Sequence, residues 1–164
     1  MKALTIWQPW ASLIMAGAKP YEFRGWRPPR SIIGQRIVIH AGARRMRREE
    51  WLDLCYRTVR EKDGIYEGDF TCLHASLAHH HLGELKYDSD SVVYSAGLGT
   101  AIVGEPRLGT DIAAEFCTDL VNDSDRDDHA NWGWPMLDIE VWPEPIPMSG
   151  KQGLWNWPTP EDVL

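Results

Sequence analysis

Residues 35–41, QRIVIHA, constrain the fold more than any other stretch. Ile37, Val38 and Ile39 stand in succession and lead to His40, which predicts a strongly buried strand. Four further strands are expected to keep it company: ALTIW at 3–7, the alternating segment 19–26, GTAIVGEPRL from 99, and WGWPMLDIEVW from 132, interrupted by Pro135. Between them the period changes. In QPWASLIMAGAK, Trp10, Leu13 and Ile14 share a helical face, Pro9 suits a first turn and Gly17 a stop. Residues 46–62 carry the clearest helical stripe, Trp51, Leu54, Cys55 and Val59. A third helix is expected over 110–121. Residues 63–97 show no single period and read as a family-specific insertion or lid. About five or six strands and three helices, not in strict βαβ alternation, predict an α+β fold or a small barrel. With no repeat and no linker, the 164 residues suit one domain, 1–164.

Several function classes fall away on composition. No apolar run approaches the ~20 residues that span a bilayer, and MKALTIWQPW lacks the apolar stretch of a signal peptide. Cys55, Cys72 and Cys117 form no CxxC pair, so neither a disulfide framework nor a zinc site is expected, and the cytoplasm is the expected compartment. The triplet His79, His80 and His81, near Cys72 and His74, fits no ligand spacing, because adjacent histidines cannot all reach one ion from regular structure. No P-loop, nucleophile elbow or dinucleotide fingerprint occurs, and no cofactor is expected.

The net charge of −7 hides an asymmetry. Residues 1–48 hold ten Lys and Arg and one acid, Glu22; residues 49–164 hold seven basic and 23 acidic residues. A positive patch on a negative protein is one outcome, and interleaving halves that neutralise each other is the other. The stretch GAKPYEFRGW at 17–26 concentrates the question. Strand parity places Glu22, Arg24 and Trp26 on one face, with Tyr21 and Phe23 opposite. A turn at Gly17 and Pro20 lets Lys19 swing back towards Glu22. Arg24 suits a phosphate or a base edge, and Trp26 a base face. Taken by itself the segment fits an exposed strand with a surface Glu–Arg pair better than a pocket. Elsewhere, GKQGLW sets Lys151 and Trp155 among glycines that admit a close ligand. Trp10 is either core packing or cleft lining. RRMRR at 44–48 opens the long helix with positive charge, against the helix dipole.

TIWQPWASLIMAGAKPYEFRGW resembles the signature of the ASCH domain family, with Gly17, Lys19, Glu22 and Arg24 in its GxKxxExR positions. RIVIHAGAR, LGTAIVGEPRL and WPEPIPMSGKQGLWNW resemble members related to the endothelial LPS-associated factor. The resemblance implies a PUA-like mixed β-barrel flanked by helices, a cleft lined by the motif residues with Trp10 beside it, and RNA or a modified nucleoside as ligand. Trp10, Lys19, Glu22, Arg24, Trp26, Lys151 and Trp155 are then the expected ligand-binding residues, with no membrane partner. The alternative is a hydrolase using the same cleft, Lys19 and Glu22 forming its acid–base pair. Some small members of the family remove the acyl group of N4-acetylcytidine with a lysine, a threonine and a glutamate, and ribonuclease activity is ascribed to one branch. Lys19 aligns with that lysine. Glu22 stands where the threonine nucleophile would be, and a carboxylate is a poor substitute for an activated hydroxyl. A third reading makes the acidic loop 122–128 a protein-binding surface.

Overall fold

The strand predicted at 35–41 forms in a computed structural model that describes residues 1–64, 71–87, 90–118 and 131–158. It is β3 (Arg36–Ala41). It runs parallel to β1 (Lys2–Ile6), with Thr5 opposite His40, and antiparallel to β4 (Ala96–Val103). The remaining strands are β2 (Tyr21–Arg24), β5 (Arg107–Leu108), β6 (Trp132–Pro147) and β7 (Leu154–Asn156). The sheet follows the order β2-β6-β4-β3-β1-β7, with β5 alongside β6. The sheet is mixed and curls into a half-barrel, carrying the helices α1 (Trp10–Met15), α2 (Arg48–Lys62), α3 (Ala75–Leu85) and α4 (Gly109–Glu115). The two strands the sequence did not mark as separate, β5 and β7, have two and three residues, too few for a pattern.

Alternation explains why β1 and β3 are buried on both faces. Leu4, Ile6, Ile37 and Ile39 point to a core completed by Ala11, Ile14 and Met15 of α1 and by Trp134 and Met136 of β6. Ala3 and Val38 point the other way, under Trp155 with Trp142, Met148 and Trp157 around it. Gly97 of β4 belongs to that second face: a methyl group there would stand 2.6 Å from Trp157 and 2.7 Å from Trp142. A separate cluster joins α2 and α3 to Leu13 of α1 through Trp51, Leu54, Leu82 and Leu85.

Several boundaries move. The long helix starts at Arg48, and its buried side is Trp51, Leu54 and Thr58 rather than Val59. Thr58 tolerates burial because its hydroxyl donates to the carbonyl of Leu54, 2.8 Å away. Helix α4 ends at Glu115; residues 119–121 of the expected helix lie outside the described residues. The 63–97 stretch contains α3, while 65–70, 88 and 89 lie outside the described residues, as does the acidic loop 122–128. Pro135 does not interrupt β6. There the strand changes partners, from β2 opposite residues 132–135 to β4 opposite residues 136–147, so its missing N–H removes no rung. No helix among the described residues is long and apolar enough to cross a membrane.

Candidate functional site

The site begins with a helix stop. Gly17 takes a left-handed φ of 71° just past α1. Its N–H donates to Ile14 and that of Ala18 to Leu13, both at 2.9 Å, closing a Schellman motif. Lys19 N–H donates to the same Leu13 carbonyl at 3.0 Å. Shortly after the helix, the chain is therefore fixed with the Lys19 side chain turned inward, 1% exposed. Its Nζ donates to the Tyr21 carbonyl at 2.7 Å.

Strand β2 supplies the rest. Glu22 lies opposite the fully buried Trp134, facing inward. Its carboxylate is 3.6 Å from Lys19 Nζ through Oε2 and 2.9 Å from Arg24 Nη2 through Oε1. The ammonium also lies over two rings, 5.5 Å from the centroid of Trp10 and 4.9 Å from that of Phe23. Arg24 Nη2 donates again, at 3.1 Å, to the carbonyl of Thr5 on β1. This contact spans the opening of the half-barrel, since β2 and β1 stand towards opposite ends of the strand path. Buried Arg24 Nε has no hydrogen-bond partner among the described residues. The trio thus carries two positive charges and one negative at the seam of the sheet. Desolvating three charges rarely stabilises a fold beyond what apolar packing would achieve, so a cluster like this points to a ligand.

Thr5 joins this trio to a second group. Its hydroxyl accepts from Trp155 Nε1 at 3.1 Å and neighbours His40, its register partner. His40 is fully buried and edge-on to Trp155 at 5.5 Å. Its Nε2 donates to the Met148 carbonyl at 2.8 Å, because a carbonyl can only accept. A methyl group on Gly150 would stand 2.8 Å from both Thr5 Oγ1 and His40 Nδ1. The GKQG loop therefore lies on this pair with no room for a side chain.

Of the residues expected from sequence, Lys19, Glu22, Arg24 and the ring of Trp10 meet at one place. Trp26 does not follow by strand parity, because β2 ends at Arg24. Its ring packs edge-on against Trp134 at 4.7 Å, and its carbonyl accepts from Trp134 Nε1. Trp26 remains 41% exposed. Lys151 is exposed and follows Gly150, the residue that lies against Thr5 and His40. Trp155 is buried, 6% exposed, and supports Thr5. Thr5 and, through it, His40 are neighbours of the trio that the sequence does not mark as such; the pairing of β1 with β3 brings them together.

In the basic run, Arg44 and Arg47 both pair with Glu50, at 2.5 and 2.8 Å. Glu50 also accepts from the Arg47 N–H at the helix start, which offsets the unfavourable charge there. Of the α3 histidines, His80 and His81 lie near Glu84. Among the described residues no group of three or more His, Cys, Asp or Glu side chains is placed to hold a metal ion.

The ASCH domain family matches residues 4–86, a span that starts within β1 and holds α1, the whole Lys19–Glu22–Arg24 trio and α3. Two solved structures share the fold. One is the ASCH protein of Zymomonas mobilis, 14% identical, with a TM-score of 0.51 and an alignment covering 99% of this chain and 90% of that one. The other is a serine-to-alanine mutant of the Zymomonas mobilis protein, 13% identical, with a TM-score of 0.50 and the same coverage. At these identities the likeness speaks for the fold alone. No curated protein matches the chain.

Proposed function

The chain belongs to the ASCH domain family, and we propose that its Lys19–Glu22–Arg24 trio, with the rings of Trp10 and Trp26, binds RNA or a modified nucleotide. One observation carries the reading: two cations and a carboxylate are held together at the seam of the half-barrel, Lys19 and Glu22 almost fully buried. The excess positive charge suits a phosphate, and the unmatched Arg24 Nε–H suits an acceptor on a base or phosphate. Glu22 accepts from a base amino group, as carboxylates do with cytosine N4. Trp10 and Trp26 offer stacking surface. Lys151 reaches the ligand from the GKQG loop, which Trp155 supports from beneath through Thr5. Within the family, the RIVIHAGAR and GKQGLWNW segments favour kinship with the endothelial LPS-associated factor.

RNA binding then weakens with added salt, because phosphate contacts release counterions. Lys19→Ala and Arg24→Ala each reduce affinity for a labelled RNA measured by fluorescence anisotropy. Tight binding untouched by both substitutions removes the trio from the site.

The 3.6 Å approach of Lys19 Nζ to Glu22 Oε2 also favours a second reading, a hydrolase in which this pair moves protons. Incubation with N4-acetylcytidine and with labelled RNA separates the two. Product formed by the wild type and abolished in Glu22→Gln establishes the hydrolase; intact substrates with measurable binding leave a binding module.

A further inference from the structure

Trp7 follows β1 by one residue and is 46% exposed, among the most exposed rings of the described residues. An indole at a sheet margin gains most by burial, so an exposed one that is also clamped asks for an explanation. The clamp is specific. Arg44 lies over the ring, its Cζ 4.3 Å from the centroid. Both of its terminal nitrogens donate to Glu50, at 3.1 and 2.5 Å, a fork-on-fork pair that fixes the guanidinium plane. At the indole edge, a methyl group on Gly42 would stand 3.2 Å from Trp7 Cδ1. Behind it, Gln8 is held through both ends of its amide, donating to the Val93 carbonyl at 2.7 Å and accepting from Ser12 N–H at 3.1 Å. A ring with a cation on one face and a neighbour at its edge has the other face left to expose.

The position matters as much as the clamp. The same methyl on Gly42 would stand 3.3 Å from Thr5 Cγ2, so Trp7 and Thr5 flank one glycine, and Thr5 is the residue to which Arg24 donates. The exposed indole is therefore linked to the trio through Thr5. In the same basic run, Arg45 lies with its guanidinium 4.5 Å over the Tyr94 ring, and Arg48 opens α2. Both are exposed, and neither pairs with an acid among the described residues. By contrast Arg44 and Arg47 share the carboxylate of Glu50.

We propose that Trp7, held by Arg44 and Glu50, is a stacking platform for a second base of single-stranded RNA, adjoining the one bound at the trio, with Arg45 and Arg48 meeting the phosphates beyond it. This rests on the RNA reading above and narrows it: the ligand is a strand of two or more nucleotides rather than a free nucleotide. An aromatic platform is tolerant of sequence, because every base has a π-face, whereas the carboxylate and guanidinium at the trio supply selectivity.

The test uses fluorescein-labelled oligocytidylates of two, four and eight nucleotides, with cytidine monophosphate as unlabelled competitor. Wild-type affinity rises with length. Trp7→Ala lowers affinity for the octamer by about five- to a hundred-fold, the loss of one stacked base, and leaves competition by the monophosphate unchanged. Trp7→Phe, which keeps a ring, retains most of the affinity, and a urea midpoint near that of wild type excludes unfolding as the cause. Octamer binding unaltered in Trp7→Ala, while Arg24→Ala still weakens it, overturns the platform and leaves the trio standing. Equal losses for octamer and monophosphate overturn it too, since Trp7 would then act through the trio. A wild type that binds neither probe at low salt sinks both readings.

Discussion

Replacing Glu22 by Gln keeps the shape of the side chain and deletes its charge, which isolates the electrostatic role of the carboxylate. Lys19 is 1% exposed and the Glu22 side chain 7%, so their attraction acts in a poorly solvated place; Arg24, at 21%, keeps some access to water and a second acceptor in Thr5. Removing one partner of a buried pair costs about 3–5 kcal/mol, most of it the penalty for the charge left behind. The charge that loses its counter-charge is chiefly Lys19, which keeps its bond to the Tyr21 carbonyl and its place over the Trp10 and Phe23 rings. We therefore expect the low end, about 3 kcal/mol. For a chain of this length each kcal/mol lowers Tm by about 2–4 °C, so the drop is roughly 6–12 °C. Urea titration followed by tryptophan fluorescence measures the free energy. A second substitution checks the cause: Lys19→Met removes the stranded ammonium, and Lys19→Met/Glu22→Gln recovers at least half of the loss. A Glu22→Gln protein within about 0.5 kcal/mol of wild type would refute the reasoning. So would a double variant less stable than Glu22→Gln alone, because packing rather than charge would then hold the trio together.

Gly150→Ala drives a methyl group to within 2.5 Å of His40 Cε1 and 2.8 Å of Thr5 Oγ1; overpacking of this kind costs about 1–3 kcal/mol, read as a lower Tm by circular dichroism, and an unchanged Tm refutes the close approach of the loop. Burial alone would raise the Glu50 carboxyl, but hydrogen bonds from Arg44 and Arg47 outweigh it and lower its pKa from 4.5 to about 2. Its folded value lies below its unfolded one, so the stability it contributes is present above pH 4.5 and is lost as pH falls from there towards 2. Glu50→Gln should flatten the fall of the urea midpoint across that window, by a modest amount because the side chain is a third exposed; an acid limb that matches wild type counts against the pairing. The histidine triplet of α3 gives a further check: burial lowers the His81 pKa from 6.5, so stability is present above pH 6.5 and declines as pH falls below it. His81→Asn should remove part of that decline in the same titration, and a decline identical to wild type would count against the burial of that ring.

What the sequence made legible was local. Lys19, Glu22 and Arg24 lie within six positions, and a helix stop at Gly17 followed by a strand is enough to bring them together. The buried strand at 35–41 was legible for the same reason, since three β-branched residues in a row advertise burial without reference to a partner. Trp26 shows where the local rule stops. Strand parity holds only while the strand lasts, and β2 ends two residues before it. Pro135 fails in the opposite sense: a proline breaks a strand that keeps one partner throughout, whereas β6 changes partners at that point. Thr5 and Trp7 had no local signal at all. One receives Arg24 because the sheet curls until β2 approaches β1, and the other adjoins it because parallel pairing of β1 with β3 brings Gly42 alongside. Curl and parallel pairing are products of long-range topology, in which each strand contributes a little twist and no residue declares the sum. A candidate site placed where β2 approaches β1 across a curled sheet therefore shows only its local motif in the sequence, here Lys19, Glu22 and Arg24. The contact with Thr5 on β1 becomes visible only once the sheet has curled.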